Sequence, residues 1–219
     1  MLQRVLEPEV MDTPADAADY DSMDHSAVNR AFAVDFISNA QNIVGPILDV
    51  GTGTALIPIE LCRQSPTISI VAIDLADEML KLAVFNVQQA GLTQRVRIEK
   101  ANGRGLIYSK GEFPAVISNS IIHHIPDPFE CFSEMVRVCS PGGVIFVRDL
   151  IRPPDEAALL HLVNLYAGNA NAHQQTLFAD SLRAALTLAE VQSQVVQLGY
   201  DASTVTQTSD RHWTWSAMN

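Results

Sequence analysis

Cysteine is scarce in this chain of 219 residues, with only Cys62, Cys131 and Cys139. An odd number without C-x-x-C spacing argues against a disulfide framework and points to a reducing, cytoplasmic setting. Basic residues are also few. Lys and Arg total 14 against 25 Asp and Glu, a net charge of −11, and no Lys/Arg run stands out. Such a chain repels phosphate backbones and anionic lipid, so neither nucleic acid nor a membrane surface is an expected partner. No apolar stretch reaches the roughly 18–20 residues of a membrane span. Met1–Asp12 carries Glu7, Glu9 and Asp12 and lacks the apolar centre of a signal peptide. Repeats and low-complexity tracts are missing too. Apolar side chains are plentiful, at 47% against 18% charged. That is enough for a core and excludes disorder over most of the chain. The length suits one domain, with or without a cap.

Hydrophobic periodicity orders the chain. Residues 7–24 are acidic with two prolines and read as an irregular lead-in. Helical spacing begins near Ser26 with Val28, Phe32, Phe36 and Ile37, and Gly45-Pro46 stops it. Ile47–Val50 reads as a buried strand, followed by a helix to about Gln64 in which Pro58 must sit early. A second strand over Ile68–Ile73 ends in Asp74. A helix over 76–90 closes at Gly91. Strands follow at Arg95–Lys100 and Phe113–Ser118, then a helix over Pro128–Cys139 with Phe129, Phe132, Met135, Val136 and Cys139 inward. Ser140-Pro141-Gly142-Gly143 reads as a turn and Val144–Val147 as a fifth strand. Helices are expected at Asp155–Ala167, Thr176–Ala185 and Thr187–Leu198, the last with Thr187 and Glu190 in capping-box spacing. Ala202–Thr208 and His212–Met218 read as an antiparallel hairpin at a sheet edge. Alternation of strand and helix at this pitch implies an α/β domain with a parallel sheet and right-handed crossovers.

The strongest chemical signal is Ile47-Leu48-Asp49-Val50-Gly51-Thr52-Gly53-Thr54. Glycines at the end of a buried strand let backbone approach a ligand, and the next helix offers free N–H groups. Asp74, at the end of the following strand, can accept both hydroxyls of a ribose. A dinucleotide fingerprint, G-x-G-x-x-G, fails at its third glycine, where Leu56 stands.

These residues resemble the class I S-adenosylmethionine-dependent methyltransferases. Asp49–Thr54 is similar to their glycine-rich first motif, Val71–Asp74 to the acidic strand end, and Ala101-Asn102-Gly103 to the position after the third strand. Val116–Pro128, with Asn119 and His123-His124, resembles the fourth-strand motif of the small-molecule branch. Ser140–Gly143 is similar to the turn before its fifth strand, and Arg148–Pro153 resembles ubiquinone/menaquinone-biosynthesis methyltransferases. The resemblance implies a Rossmann-like single domain with helices on both faces. Its seven-stranded, mostly parallel sheet would have order 3-2-1-4-5-7-6 and an antiparallel last strand. The segments would be a helical lid over 1–40, a cofactor-binding core over 41–150, a helical cap over 151–186, and a terminal helix with edge strands over 187–219.

It also implies S-adenosylmethionine as cofactor, S-adenosylhomocysteine as product and a small-molecule acceptor, in a monomer or homodimer. Gly51, Thr52 and Gly53 would pass the methionyl part and ribose. Asp49 would sit near the amino group and Asp74 would hold the ribose. Leu75 and Met79 would pack on the adenine, with Asn102 and Gly103 at its edge, and Asn119 would lie under the methionyl group. Tyr20 and Met23 would pack near the sulfonium from the lid. His123 or His124 could act as a base, though adjacent rings tend to diverge, so one at most is expected to. Arg148 and Asp149 could contact substrate or pair with each other. No metal is expected, because adjacent histidines lack i,i+4 spacing and no carboxylate or cysteine set completes a site. Tyr166 and Phe178 could belong to a substrate cap between the fifth and sixth strands, though aromatics at such spacing are more often core. A protein that binds the cofactor without catalysis is the alternative to an enzyme.

Overall fold

The computed structural model describes residues 2–7, 13–40 and 43–219. Seven strands form one sheet in the order β3-β2-β1-β4-β5-β7-β6. They are β1 (Pro46–Val50), β2 (Ser69–Asp74), β3 (Val96–Lys100), β4 (Phe113–Asn119), β5 (Cys139–Leu150), β6 (Val205–Gln207) and β7 (His212–Met218). β1 runs parallel to both β2 and β4, and β2 parallel to β3. β6 and β7 are antiparallel, with Val205 opposite Trp215. The eight α-helices of the described residues are α1 (Pro14–Ser22), α2 (Ser26–Asn39), α3 (Leu56–Gln64), α4 (Asp77–Gln89), α5 (Phe129–Val138), α6 (Glu156–Ala167), α7 (Ala172–Ala184) and α8 (Leu188–Gln197). None is long and apolar enough to cross a membrane. The α/β class, the strand order and the reversed last strand agree with the sequence-based expectation.

The chain divides into two compact units. One holds residues 10–119, 129–147 and 216–219. Its core joins Phe32 and Phe36 of α2 to Ile47, Ile70, Ala83, Val96, Ile117 and Phe146. β1 is a near-continuous apolar run because a central parallel strand is covered on both faces, and Ile47 to Val50 are all buried. Phe32 and Phe36 each meet the edge of Phe146, at 5.1 and 5.8 Å between centroids, the arrangement that aromatic quadrupoles favour. On α5 the buried stripe is Cys131, Phe132, Met135 and Val138. Val136, expected inward, is only half-buried. All three cysteines are free thiols and buried.

The other unit holds residues 1–9, 120–128 and 148–215. Its apolar cluster brings Leu150 together with Leu159, Leu162 and Val163 of α6 and Leu182 of α7. Residues 2–7 lie as a non-helical strap within this unit, bonded from Leu2 N–H to Pro154 O at 2.8 Å and from Val5 N–H to Arg183 O at 3.2 Å.

Four local expectations are corrected. The segment expected to be irregular contains α1, which opens with Pro14 at its first position, where proline's missing N–H costs nothing. Part of that segment, 8–12, lies outside the described residues. Residues 140–143 are not a free turn but belong to β5. Gly142 N–H donates to Asn219 O at 2.7 Å and Asn219 N–H to Gly143 O at 2.9 Å, which extends the ladder. α7 starts at Ala172, four residues before the expected Thr176, because Asn171 and Gln174 form a capping box. Residues 202–204 form a 3₁₀ turn, capped by Asp201 accepting from Ser203 N–H, so β6 is only three residues long.

Candidate functional site

In the first unit the turn after β1 is built on left-handed backbone. Gly51 has φ +77° and Gly53 φ +54°, followed by Ala55 at φ +64°. Glycine adopts such angles without a Cβ penalty. Gly51 and Thr52 N–H both donate to Ile73 O, at 2.9 and 2.8 Å. Gly53 N–H donates to the Asp74 carboxylate at 2.8 Å, and the second Asp74 oxygen accepts from Ala76 N–H at 2.9 Å. The turn is therefore stitched to the end of β2.

Asp49 lies inside, 1% exposed. Its Oδ2 and the Thr54 hydroxyl are buried with no hydrogen-bond partner among the described residues. Burial pushes the Asp49 carboxyl up to about 7, the Asp74 charge adds to this, and the Thr52 hydroxyl opposes it. A buried carboxylate with an idle oxygen suits a cationic ligand group such as an ammonium.

The other expected cofactor residues of this unit fall as follows. Met79 is buried with Ala17 and Ala76, and Tyr20 packs against that cluster. Leu75 is half-buried at the head of α4. Tyr20 also stacks at 4.7 Å on His25, and a Cβ on Gly53 would meet Tyr20 Cε1 at 3.8 Å. Asn86 donates to Asp21 Oδ1 at 2.8 Å and so ties α4 to α1. Asn102 is exposed, and its oxygen accepts from Arg104 N–H at 3.0 Å. Gly103 is tightly enclosed, since a Cβ there would lie 3.0 Å from Val50 and 3.1 Å from Cys131 Sγ. Asn119 ends β4, half-buried. A cavity of about 410 Å³ bordered by Met23, His25, Leu56 and Glu60 includes Met23 alone of the expected residues.

In the second unit the fold gathers charged groups that the sequence left apart. Asp149 is wholly buried. It accepts from the N–H groups of Ile122, His123 and Leu150 and, at 2.6 Å, from His123 Nδ1. Burial works against its charge, yet the adjacent His123 and these donors hold it below the usual carboxylate range. Burial likewise opposes a charged His123, and Asp149 and Glu7 outweigh it, so the imidazole titrates above its ordinary value. Nε2 of His123 lies 3.4 Å from Glu7 Oε1, and His124 Nδ1 lies 3.2 Å from the same oxygen. Burial raises Glu7, with His123 opposing. The two rings stack at 4.2 Å instead of diverging.

Arg4 clasps this loop, donating to Pro126 O, Ile125 O and Ala184 O at 2.7–2.9 Å. Arg148 is 8% exposed, and its Nε donates to Thr214 Oγ1 at 2.9 Å. Tyr166, expected in the core, is exposed, with the Arg211 guanidinium 3.4 Å from its ring centre. Sequence reasoning missed Glu7, because nothing in its neighbourhood signals contact with the histidine loop. It also missed Ser120, whose φ of +58° is unusual for a residue other than glycine and marks the bend that follows β4.

Comparison with known proteins adds to this geometry. Residues 47–143 match a family described as methyltransferase domain. The chain is 33% identical over 125 residues to a ubiquinone/menaquinone biosynthesis C-methyltransferase of Geobacter sp. (strain M21), covering 57% of this chain and 52% of that protein. It is 29% identical over 127 residues to a ubiquinone biosynthesis O-methyltransferase of Xanthomonas oryzae pv. oryzae (strain PXO99A), covering 58% and 52%. The chain thus matches about half the length of these relatives. The fold superposes on a SAM-dependent methyltransferase from Aquifex aeolicus with a TM-score of 0.68 at 17% identity, over 94% of this chain and 98% of that one.

Proposed function

We propose that the chain, whose residues 47–143 match a methyltransferase domain family, is a class I S-adenosylmethionine-dependent methyltransferase that transfers a methyl group from that cofactor to a small-molecule acceptor. The observation that carries this reading is the turn Gly51–Gly53 bonded to Asp74, with the idle Asp49 oxygen buried beneath it. The residues present fit the cofactor. An orphaned carboxylate oxygen suits an ammonium, and an acidic side chain bonded to the glycine turn suits a ribose diol. The missing third glycine of a dinucleotide fingerprint matters less for a ligand without a pyrophosphate.

When bound, the cofactor supplies a methyl group on a positively charged sulfur, already activated toward displacement. The chain's own task is then to bind, align and exclude water. Asp49 holds the ammonium and Asp74 the ribose hydroxyls. Leu75 and Met79 supply apolar surface for the adenine, with Asn102 and Gly103 beside it. Gly51, Thr52, Gly53 and Asn119 present backbone to the methionyl part, and α1 and the bend that follows it carry Tyr20 and Met23 as a lid. Alignment of two reactants can supply roughly 7–11 kcal/mol of a barrier, so a dedicated base is required only for an acceptor that must lose a proton. Both His123 nitrogens face carboxylates, which favours a positioning role over proton abstraction. The relatives' printed names include both carbon and oxygen methyl transfer, so the acceptor is kept at the level of a small molecule.

Calorimetric titration with S-adenosylmethionine, S-adenosylhomocysteine and NAD tests the reading, beside a screen of phenolic, quinol, amine and carboxylate acceptors for methyl transfer. Binding of the first two without NAD supports it. Binding of NAD alone overturns it.

A further inference from the structure

The histidine cluster is not needed for methyl displacement, and its geometry is unusual for an ion pair. Asp149 is only an acceptor when ionised, so its 2.6 Å contact fixes the proton of His123 on Nδ1. The Nε2 lone pair is then left facing Glu7 Oε1 at 3.4 Å. Two acceptors repel unless a proton or a cation lies between them. A charge-assisted N–H···O bond closes to about 2.7–2.9 Å, shorter than either His–Glu7 distance. Ligands bound about 2.0–2.1 Å from a tetrahedral ion are instead separated by about 3.4 Å, close to the 3.4 and 3.2 Å found here.

We propose that Glu7, His123 and His124 form a binding site for a divalent cation of the zinc class. The three donor atoms lie within 4.8 Å of one another. Glu7 Oε1 is buried with no hydrogen-bond partner among the described residues. Two imidazoles and a carboxylate select zinc, cobalt or nickel over magnesium or calcium, which prefer all-oxygen sites. Asp149 is placed as the outer carboxylate that orients a ligating histidine, as such sites usually require. His124 retains 17% exposure, which leaves a path from solvent to the cluster. The ion clips the strap 2–7 to the loop 120–128, both within one compact unit. This inference does not rest on methyl transfer, and its test reads metal binding rather than activity.

Untagged protein is stripped with a chelator and titrated with Zn²⁺ by calorimetry and with Co²⁺ by visible absorption. The expected result is one equivalent bound, with the strong visible bands of tetrahedral Co²⁺, undisturbed by excess Mg²⁺. Glu7→Ala and His124→Ala should each lower affinity by about 100-fold or more, since each removes one of three ligands. His173→Ala, at an exposed histidine away from the cluster, should change nothing. The wild-type Co²⁺ spectrum does not depend on whether a variant folds. Absence of binding at ~100 µM metal, or a weak octahedral Co²⁺ spectrum, overturns the proposal and leaves a cluster held by protonation. Affinity unchanged in both Glu7→Ala and His124→Ala places the ion elsewhere and overturns it equally.

Discussion

Asp49→Asn offers a test of the glycine turn that needs no substrate. The side chain is almost isosteric and buried, and the native carboxyl is raised to about 7 from an ordinary 3.8. A raised acid means that the native state keeps a proton which the unfolded chain has already released. Stability therefore falls as pH rises from about 4 to about 7, and the loss is complete above the folded value. Integrated between pH 5 and pH 8, this linkage costs the wild type about 2–3 kcal/mol that the asparagine variant does not lose. The assay is urea unfolding of both proteins at the two pH values. Any constant cost of the amide, and the titration of every group not coupled to Asp49, cancels in the double difference. The variant should gain on the wild type by about 2 kcal/mol or more on going to pH 8. A difference that does not move with pH refutes the reasoning, because it means Asp49 is already ionised and solvated in the free protein. The same substitution should weaken binding of S-adenosylhomocysteine, since a neutral amide no longer attracts an ammonium.

Other outcomes follow from single contacts. Asp74→Ala removes the acceptor of Gly53 N–H and the proposed ribose anchor. Affinity for S-adenosylhomocysteine should drop about 10- to 100-fold, the scale of a charged hydrogen bond, as read by calorimetry. Gly143→Ala places a Cβ 2.8 Å from both Pro114 O and Ser140 O. Thermal unfolding should show a loss of about 1–3 kcal/mol, the usual cost of overpacking. Thr187→Ala breaks the reciprocal capping box with Glu190 and should cost about 1 kcal/mol in urea unfolding.

Legibility in the sequence followed the range of the interactions involved. The turn Gly51–Gly53 was readable because a buried strand running into glycines, with Asp74 at the next strand end, supplies context that G-x-G alone lacks, and its φ angles of +77° and +54° are those of a tight turn. Thr187 was readable because capping satisfies N–H groups within one helical turn. Pro14 was a start signal of the same kind that the acidic composition around it obscured. The 140–143 segment was misread because Pro-Gly-Gly is locally a turn, and only pairing with Asn219 makes it strand. Asp149 has the same character. As a strand-end acid it suggested a ligand contact, while its lone pairs are taken by the 122–123 backbone and the His123 ring.

The sequence by itself determined the α/β alternation, the glycine turn with Asp74 at the next strand end, and the Thr187–Glu190 cap, because each depends on backbone geometry within a few residues or on periodic burial. Only the tertiary structure decided that the strap carrying Glu7 lies against His123 and His124, that those rings stack, and that Asp149 fixes the proton of one of them. The physical reason is that short-range patterns record which face a residue buries. They do not record which distant residue fills the space opposite, and it is that neighbour which sets the charge, the proton and the chemistry of a buried side chain.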